Sequence, residues 1–571
     1  MKPRFWHLIA LLAMLCPEAS GQSKVTVNPG VELRDLHDKF AYGTFYVPKT
    51  EAAQSDFLNN VDRLNTIRLQ ILESVLNNAN NLEEALDLLD SVRQPLEDIA
   101  DKADKVIFIF EKMPAWLSSS SDGSPAQPPG WFVLNTKPPR NYADWNEVVR
   151  QLTRSIVETY GIDNAYFEVW NEPDLGSWTG TSEEYFRLFR ETYTAIKSID
   201  GDIPVGGPAT NHWANNLFYQ APFGYVSDVN AAQSLIANLI DSSLVWNTPL
   251  DFISWHNFNL TTETHQNAVD FITRRYVAHG APVPDLCVSE WNAPSDVRDT
   301  DLHHAFAIKN TIAVKNSAIS SDVIAAWQDF SLASEEFHAD FGLLTYGSIR
   351  KPFLNAILLA SALKGTEVET IANVPISCAA SLRDDTLLLL IANYTPPPIV
   401  AAINHTLFAG QFNAVDLDTA GLINLALDDI SFLASVYCGE TVLPNTSALN
   451  RAVNAAVPIY AHFDSLQNAV HAVEINVTDY PGSFSALLYT VDDETNNGRH
   501  TYDSLRNVGF SRVDAIAQIV GSQEIRGETR TVNGSEYVIP MRPNAVALLK
   551  ITIPGLTALP NLPTTQSGLR V

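Results

Sequence analysis

The chain has 571 residues, which exceeds one ordinary domain of about 100–200 residues and predicts at least two domains. Its hydrophobic fraction is 46% and its charged fraction is 18%, a globular composition that excludes disorder for most of the chain. Lys and Arg total 37 against 65 Asp and Glu, a formal charge of −28, and so acidic a surface repels nucleic-acid phosphates and anionic lipid headgroups. We therefore predict neither nucleic acid nor a membrane as a partner.

Residues 1–21 have the pattern of a secretory signal peptide. Two cations within residues 1–4 precede an apolar run over residues 5–15, and small residues follow at 19–21. A membrane anchor is the alternative, but about eleven apolar residues are too few for a span, which needs roughly 20. We predict a secreted, extracellular protein.

Six Asn-x-Ser/Thr sequons fit passage through a glycosylating secretory pathway. They are Asn259, Asn393, Asn404, Asn445, Asn476 and Asn533.

Three cysteines remain once Cys16 leaves with the signal peptide. Cys378 and Cys438 both lie in the C-terminal third and could form one disulfide in an oxidising compartment. Cys287 lies in an apolar run, which predicts a buried thiol. The cysteine spacing matches no metal site, and we predict no metal.

From residue 41 to residue 365, short apolar runs alternate with amphipathic stretches, the pattern of repeated βα units. Eight candidate strands cover residues 41–46, 66–69, 105–110, 166–170, 203–206, 251–256, 286–290 and 323–329. Eight units in this length predict an α/β fold of the (β/α)8 or TIM-barrel type. The alternative is an open doubly wound sheet, whose best support would be an early Gly-x-Gly-x-x-Gly turn, and the sequence lacks one.

Short β-rich runs separated by turn residues follow over residues 366–571. They cover residues 379–382, 386–394, 458–462, 470–476, 486–491 and 545–553. This pattern predicts a C-terminal antiparallel β-sandwich. In residues 22–40, the alternation of Val25 and Val27 predicts one further strand that joins this sandwich.

Two glutamates end predicted barrel strands in similar surroundings. Glu172 lies in WNEPD at residues 170–174, after the fourth strand, and Glu290 lies in SEWN at residues 289–292, at the end of the seventh. Catalytic groups of such barrels lie at the C-terminal ends of strands. A pair of carboxyl groups is what cleavage of a glycosidic bond requires, one to protonate the leaving oxygen and one to stabilise the anomeric centre.

We therefore predict Glu172 as the general acid/base and Glu290 as the nucleophile. The apolar neighbours of Glu172 predict a raised pKa for its carboxyl group. A separation of about 5–5.5 Å between the two carboxyl groups would give retention of configuration, and about 6.5–9.5 Å would give inversion.

These motifs resemble the acid/base and nucleophile motifs of retaining glycosidases with (β/α)8 barrels, and three further stretches resemble glycoside hydrolase family 39. The stretches are DFISWH at residues 251–256, FGLL through RKP at residues 341–352, and YTVDDETNN at residues 489–497. That family holds β-xylosidases and α-L-iduronidases. The resemblance implies an O-glycosyl hydrolase that needs no cofactor.

The resemblance also implies five substrate-binding residues. In it, Asn171 hydrogen-bonds the sugar 2-hydroxyl, and Arg68 holds Glu290 ionised. The remaining three are His256 as a sugar contact, Trp327 as the aromatic floor of a subsite, and Glu336 of the pair Glu335–Glu336 as a ligand of the terminal sugar. The alternatives are a surface arginine, a core histidine and a core tryptophan, and Leu332 departs from the Asp common in xylosidase relatives.

The resemblance divides substrates by charge. Arg350 lies where the iduronidase branch carries an arginine for the substrate carboxylate, but Phe258 replaces the lysine of that branch. We predict a terminal neutral glycoside such as a β-D-xyloside, cleaved by double displacement through a covalent glycosyl-enzyme. The alternatives are an iduronidase-like uronide hydrolase and a non-catalytic carbohydrate-binding barrel. The sequence leaves the oligomeric state open.

Overall fold

A computed structural model describes residues 22–36, 39–61, 63–120, 136–215, 228–410, 430–467, 470–478, 484–532 and 536–552. They form a closed parallel barrel and a second, mostly antiparallel sheet. The predicted signal peptide and the sequon Asn533 lie outside the described residues. None of the described helices is both long and apolar enough to cross a membrane.

The first strand, β1 (Gln22–Asp35), belongs to the second sheet, and the next eight close the barrel in chain order. Barrel strands are β2 (Gly43–Phe45), β3 (Leu64–Leu69), β4 (Ala103–Phe110), β5 (Ala165–Val169), β6 (Val205–Thr210), β7 (Phe252–Asn257), β8 (Asp285–Trp291) and β9 (Ser321–Ile324). Thr44 on β2 pairs with Ile324 on β9, which completes the ring. The predicted TIM barrel is confirmed, with strand ends shifted by a few residues.

Ten α-helices belong to the described part of the barrel. They are α1 (Glu51–Asn60), α2 (Ile71–Asn78), α3 (Leu82–Ser91), α4 (Arg93–Ala100), α5 (Tyr142–Arg154), α6 (Ser182–Lys197), α7 (Leu235–Val245), α8 (Glu263–Ala278), α9 (Asp301–Lys315) and α10 (Pro352–Ser361). Apolar residues three and four apart face the strands: α6 buries Tyr185, Leu188 and Phe189 after a capping box formed by Thr181 and Glu184.

The second sheet contains β1 and the strands β10 (Thr366–Ala372), β11 (Ile376–Arg383), β12 (Thr386–Asn393), β13 (His471–Val477), β14 (Phe484–Val491), β15 (Gly527–Val532), β16 (Glu536–Met541) and β17 (Val546–Thr552). These nine strands lie in the order β15-β14-β17-β12-β11-β10-β1-β13-β16. Side chains from both ends of this order, such as Ile475 and Leu549, share one buried core. The sheet therefore folds over on itself as a sandwich, as predicted.

The N-terminal strand β1 joins this sandwich, as the alternation of Val25 and Val27 predicts. It pairs antiparallel with β10, where Asp35 lies opposite Thr366, and parallel with β13. Both valines are fully buried in the sandwich core.

The C-terminal part also contains helices that the β-rich pattern does not predict. They are α11 (Pro398–Gly410), α12 (Ile430–Tyr437), α13 (Ala448–Ala455), α14 (Val457–Leu466), α15 (Gly498–Asn507) and α16 (Arg512–Val520). The strand predicted at residues 458–462 is wrong, because these residues lie in α14. Pro458 occupies its first turn, where no backbone N–H is needed.

The predicted disulfide between Cys378 and Cys438 is wrong, since both are free thiols. Cys378 lies on β11 opposite Ile391, and the exposed Cys438 follows α12 and donates to the carbonyl of Ser435 at 3.5 Å. Common position in the C-terminal third therefore does not bring the two sulfur atoms together. Cys287 is buried, as predicted.

Two of the predicted glycosylation sites lie in the interior. Asn259 is 2% exposed and Asn393 is 0% exposed, and the amide of Asn393 donates to the Arg542 carbonyl at 2.8 Å. A glycan on either side chain would require the fold to open. Asn445 is exposed, and Asn404 and Asn476 are partly exposed, so the prediction stands at these three positions.

Candidate active site

Glu172 lies on a tight turn after β5. Trp170 and Glu172 both have left-handed backbones, with φ of 75° and 46°, a conformation that costs on the order of 1–3 kcal/mol. The Ser177 hydroxyl donates to the Glu172 carbonyl at 2.8 Å and accepts from the Trp170 indole at 3.0 Å. The Glu172 N–H donates to the carbonyl of Ala209 on β6 at 2.9 Å. These contacts hold the turn and fix the direction of the Glu172 side chain.

Arg68 on β3 is fully buried and links three neighbours. Its Nε donates to Glu168 at 2.7 Å, its Nη1 donates to Glu290, and its Nη2 donates to Asn171 Oδ1 at 2.9 Å. Burial lowers the pKa of Arg68, but the charges of Glu168 and Glu290 outweigh it and raise that pKa above its ordinary value. Arg68 is therefore a charged interior residue, as predicted, and not a surface arginine.

Glu290 on β8 and Glu172 approach each other on either side of His256 from β7. His256 Nδ1 lies 2.9 Å from Glu172 Oε1 and 3.8 Å from Glu290 Oε2. One ligand atom from each of the three residues lies within 4.8 Å of the others. The side chains of Glu172 and Glu290 are 13% and 12% exposed, whereas that of His256 has no exposure. The structure thus brings both predicted catalytic carboxylates into one nearly buried cluster.

The three groups have shifted pKa values. Burial raises the pKa of Glu290, and the charges of His256 and Arg68 only partly offset it. Burial also raises the pKa of Glu172, but hydrogen bonds from His256 and Asn211 outweigh burial, so its pKa lies below the ordinary value. Burial lowers the pKa of His256, and the two carboxylates reverse this and raise it.

The raised pKa predicted for Glu172 from its apolar neighbours is therefore wrong for this arrangement. The sequence motif indicates that Glu172 is buried, but it does not indicate that His256 and Asn211 hydrogen-bond its carboxylate. The raised pKa of His256 and the lowered pKa of Glu172 both favour a proton on His256, which lies within hydrogen-bond distance of Glu172.

Among the described residues, Glu172, His256 and Glu290 are also the three side chains whose ligand atoms could contact one ion. The guanidinium of Arg68 already neutralises Glu290, and His256 already bonds Glu172. A cation would have to compete with both positive groups. The donor set suits proton transfer between its members better than metal binding.

Two predicted substrate-binding residues lie elsewhere in the fold. Trp327 is 1% exposed, its indole donates to the Ala53 carbonyl at 3.0 Å, and its ring packs edge-on against Phe57. It is a core residue here, so its predicted role as the floor of an open subsite is not supported.

Glu336 is fully buried, and both of its carboxylate oxygens have partners. Oε1 accepts from Arg512 of α16 at 2.8 Å, and Oε2 accepts from the Gly347 N–H at 2.7 Å. The neighbouring Glu335 pairs with Arg506 of α15 at 2.9 Å. These acids join the segment after β9 to the C-terminal helices, and the predicted binding of a terminal sugar by Glu336 is not supported.

The structure adds two site residues that the sequence analysis missed. Glu168 on β5 is fully buried and pairs with Arg68, and Asn211 after β6 donates to Glu172 Oε1 at 3.0 Å. Glu168 carries a usable signal, because a glutamate within an apolar strand is almost never buried without a partner. Asn211 carries no such signal.

Comparison with known families decides the class of protein. The model of the glycosyl hydrolases family 39 matches residues 105–407, which is more than half of the chain. The chain belongs to glycosyl hydrolase family 39. The match includes Glu172, His256 and Glu290.

Two curated relatives of this family 39 chain are β-xylosidases. The chain is 28% identical to the enzyme of Caldicellulosiruptor saccharolyticus over 292 residues, 46% of this chain and 56% of the relative. It is 27% identical to the enzyme of Geobacillus stearothermophilus over 263 residues, 40% of this chain and 48% of the relative. The alignments thus span about half the length of these relatives.

Solved structures share the whole architecture. The crystal structure of the family 39 enzyme from Xanthomonas axonopodis pv. citri has a TM-score of 0.65 at 17% identity and covers 97% of this chain and 99% of its own. A monomeric β-xylosidase from Caulobacter crescentus CB15 has a TM-score of 0.63 at 17% identity, covering 93% and 99%. A bacterial orthologue of human α-L-iduronidase has a TM-score of 0.57 at 14% identity, covering 94% and 84%. At these identities the likeness shows the fold.

Proposed function

We propose that this family 39 enzyme is a secreted, retaining exo-glycosidase that cleaves terminal β-D-xylosides or related neutral glycosides. The observation that carries the proposal is the pair of carboxylates Glu172 and Glu290 with His256 between them, all three ligand atoms within 4.8 Å. Each carboxylate has a different partner, Arg68 for Glu290 and His256 for Glu172. Different environments for two acids are the basis of different roles in catalysis.

The separation of the carboxylates supports retention of configuration. One oxygen of Glu172 and one of Glu290 lie within 4.8 Å of each other, and such close approach favours the about 5–5.5 Å between carboxyl groups of retaining enzymes over the about 6.5–9.5 Å of inverting ones.

In the first step, the Glu290 carboxylate attacks the anomeric carbon while Glu172 protonates the glycosidic oxygen. Arg68 keeps the nucleophile ionised by donating to it. His256 Nδ1 lies 2.9 Å from Glu172, and we propose that His256 transfers a proton to Glu172 before the leaving oxygen takes it. The C–O bond to the aglycone breaks, and the aglycone leaves as an alcohol.

In the second step, Glu172 accepts a proton from water, and the water oxygen displaces Glu290 from the anomeric carbon. Asn171 supports both steps. Its Oδ1 is occupied by Arg68, so its Nδ2 is the group that donates to the sugar 2-hydroxyl.

A neutral substrate is supported at two positions. Phe258 is buried and packs edge-on against Phe341, with ring centroids 5.8 Å apart. Arg350 is engaged by Asp56 at 3.1 Å and by the Gln523 carbonyl at 3.3 Å. An apolar ring and a neutralised arginine cannot pair a substrate carboxylate, so these residues favour a xyloside over a uronide, in agreement with the names of the two β-xylosidase relatives.

The proposal is tested with aryl xyloside, arabinopyranoside, glucoside, galactoside and iduronide, each with wild type, Glu290→Ala and Glu172→Ala. We expect the xyloside to be cleaved fastest, Glu290→Ala to be inactive, and Glu172→Ala to retain activity on good leaving groups alone. Proton NMR of the first product should show the anomeric configuration of the substrate. Equal activity in wild type and Glu290→Ala would overturn the proposal.

Secretion is part of the same proposal and rests on residues 1–21. Expression in a eukaryotic secretory host should release protein into the medium with an N-terminus near Gln22. Retention inside the cell with Met1 intact would overturn it. Treatment with an endoglycosidase should lower the mass, and in Asn445→Gln this shift should be smaller by the mass of one glycan.

A further inference from the structure

Asp174 is a fully buried carboxylate two residues after Glu172, and the steps above do not use it. It lies in the short 3-10 turn Pro173–Leu175. Its two oxygens accept from the backbone N–H of Asn211 at 2.9 and 3.1 Å, and Oδ2 also accepts from the Asn215 side chain at 2.9 Å. A buried carboxylate is costly unless it is hydrogen-bonded, and the donors of these three contacts all lie in the segment after β6.

Asn211 connects this carboxylate to the acid/base. Asp174 holds its backbone, and its side-chain Nδ2 donates to Glu172 Oε1 at 3.0 Å. Asn211 therefore contacts both ends of the three-residue segment from Glu172 to Asp174, Glu172 through its side chain and Asp174 through its backbone. The backbone of Glu172 is tied to the same strand, because its N–H donates to the Ala209 carbonyl.

The consequence concerns which oxygen of Glu172 meets the substrate. Asn211 and His256 both bond Oε1, at 3.0 and 2.9 Å. Among the described residues no hydrogen bond falls on Oε2. A carboxyl group fixed at one oxygen presents the other in one direction, which is the positioning that proton transfer to a leaving oxygen requires.

We propose that Asp174 is a positioning residue for acid/base catalysis, which fixes Asn211 so that Asn211 and His256 together orient Glu172. The proposal rests on the proposed role of Glu172 as general acid/base. A carboxylate suits this position because it is purely an acceptor and meets two donor groups in three contacts, whereas an asparagine would turn its own N–H2 toward one of these donors.

The test compares Asp174→Asn and Asn211→Ala, using aryl glycosides of the fastest-cleaved sugar with leaving groups of graded pKa. For the poorest leaving group we expect kcat/KM to fall about 10- to 100-fold, part of the roughly 10²–10⁴-fold effect of a general acid. For dinitrophenol it should fall less than about threefold, because that group leaves without protonation. The double variant should be no worse than Asn211→Ala alone.

Asp251→Asn is the matched control. Asp251 also accepts from a backbone N–H of β6, that of Val205 at 2.9 Å, but at the opposite end of the strand. Loosening β6 there should lower activity equally for all leaving groups or not at all. Should Asp174→Asn fail to fold, Asn215→Ala removes one hydrogen-bond donor from Asp174. Its loss of kcat/KM should likewise be larger for poor leaving groups than for good ones.

Loss that does not depend on the leaving group, or additive losses in the double variant, would overturn the positioning role of Asp174. If Glu172→Ala itself shows no dependence on the leaving group, the proposed function fails. If Glu172→Ala shows that dependence and neither Asp174→Asn nor Asn215→Ala does, the acid/base assignment stands and this inference is wrong.

Discussion

Replacing Arg68 by methionine removes one charge from the interior and keeps most of the side-chain volume. Glu168 and Glu290 then lose their shared counter-ion, and Glu168 and Arg68 both have no exposure to solvent. Breaking a buried ion pair by removing one partner costs about 3–5 kcal/mol, because the remaining charge stays buried. We expect Arg68→Met to lower the free energy of unfolding near neutral pH by about this amount.

The loss should depend on pH. Burial already raises the pKa of Glu290 above its ordinary value of 4.5, and removal of the guanidinium raises it further. A carboxyl group whose pKa is higher in the folded state favours folding below its ordinary pKa, and that contribution is lost as pH rises through the folded value. The free energy of unfolding that Arg68→Met loses relative to wild type should therefore be smallest near pH 4 and grow toward neutral pH. The acidic limb of the kcat/KM profile should move to higher pH.

Denaturant unfolding at several pH values and pH–rate profiles check both expectations. Arg63→Met is the control, because the ion pair of Arg63 with Asp104 is exposed, 52% and 38% for the two side chains, and such pairs contribute about 0–1 kcal/mol. The expectation is refuted if Arg68→Met loses no more free energy of unfolding than Arg63→Met at neutral pH, or if its loss does not change with pH.

Four further outcomes are expected. Burial raises the pKa of Asp174 to about 7 from 3.8. The protonated carboxyl group therefore stabilises the fold below pH 3.8, and this stabilisation is lost as pH rises toward 7. In denaturant unfolding of Asp174→Asn, the free energy of unfolding should change less with pH over this range. Thiol titration of the unfolded protein should find Cys378 and Cys438 free, and a linked peptide in mass mapping would contradict this. Trp327→Ala should lose about 3–5 kcal/mol of stability; a raised KM with unchanged stability would instead restore its role as a sugar floor. Glu336→Gln should lower Tm and leave KM unchanged, and a raised KM at unchanged Tm would refute our reading.

The barrel and its two carboxylates could be predicted from the sequence for a local reason. Strands buried on both faces are continuous apolar runs, and Glu290 stands at the C-terminal end of such a run, where the sites of these barrels lie. A short apolar run does not distinguish strand from helix in the same way. That ambiguity explains why residues 458–462 were predicted as a strand and form part of α14.

The supporting contacts of the site could not be predicted because they join distant parts of the chain. Asn211 is 39 residues from Glu172, and its neighbours in sequence carry no pattern that predicts an inward amide. The pKa of Glu172 depends on that amide and on His256, 84 residues away. Trp327 shows the converse: its position near a strand end predicts a subsite, but its side chain is buried and packs edge-on against Phe57.

The pairing of β1 with β10 has a consequence for how this chain can be divided into parts that fold. The chain leaves the sheet at Asp35 and re-enters it at Thr366, the residue directly opposite. The barrel is thus an insertion at one point of a continuous sheet, and the two places where the chain enters and leaves it lie side by side. Expression of residues 366–571 alone would leave β10 and β13 without the strand that lies between them.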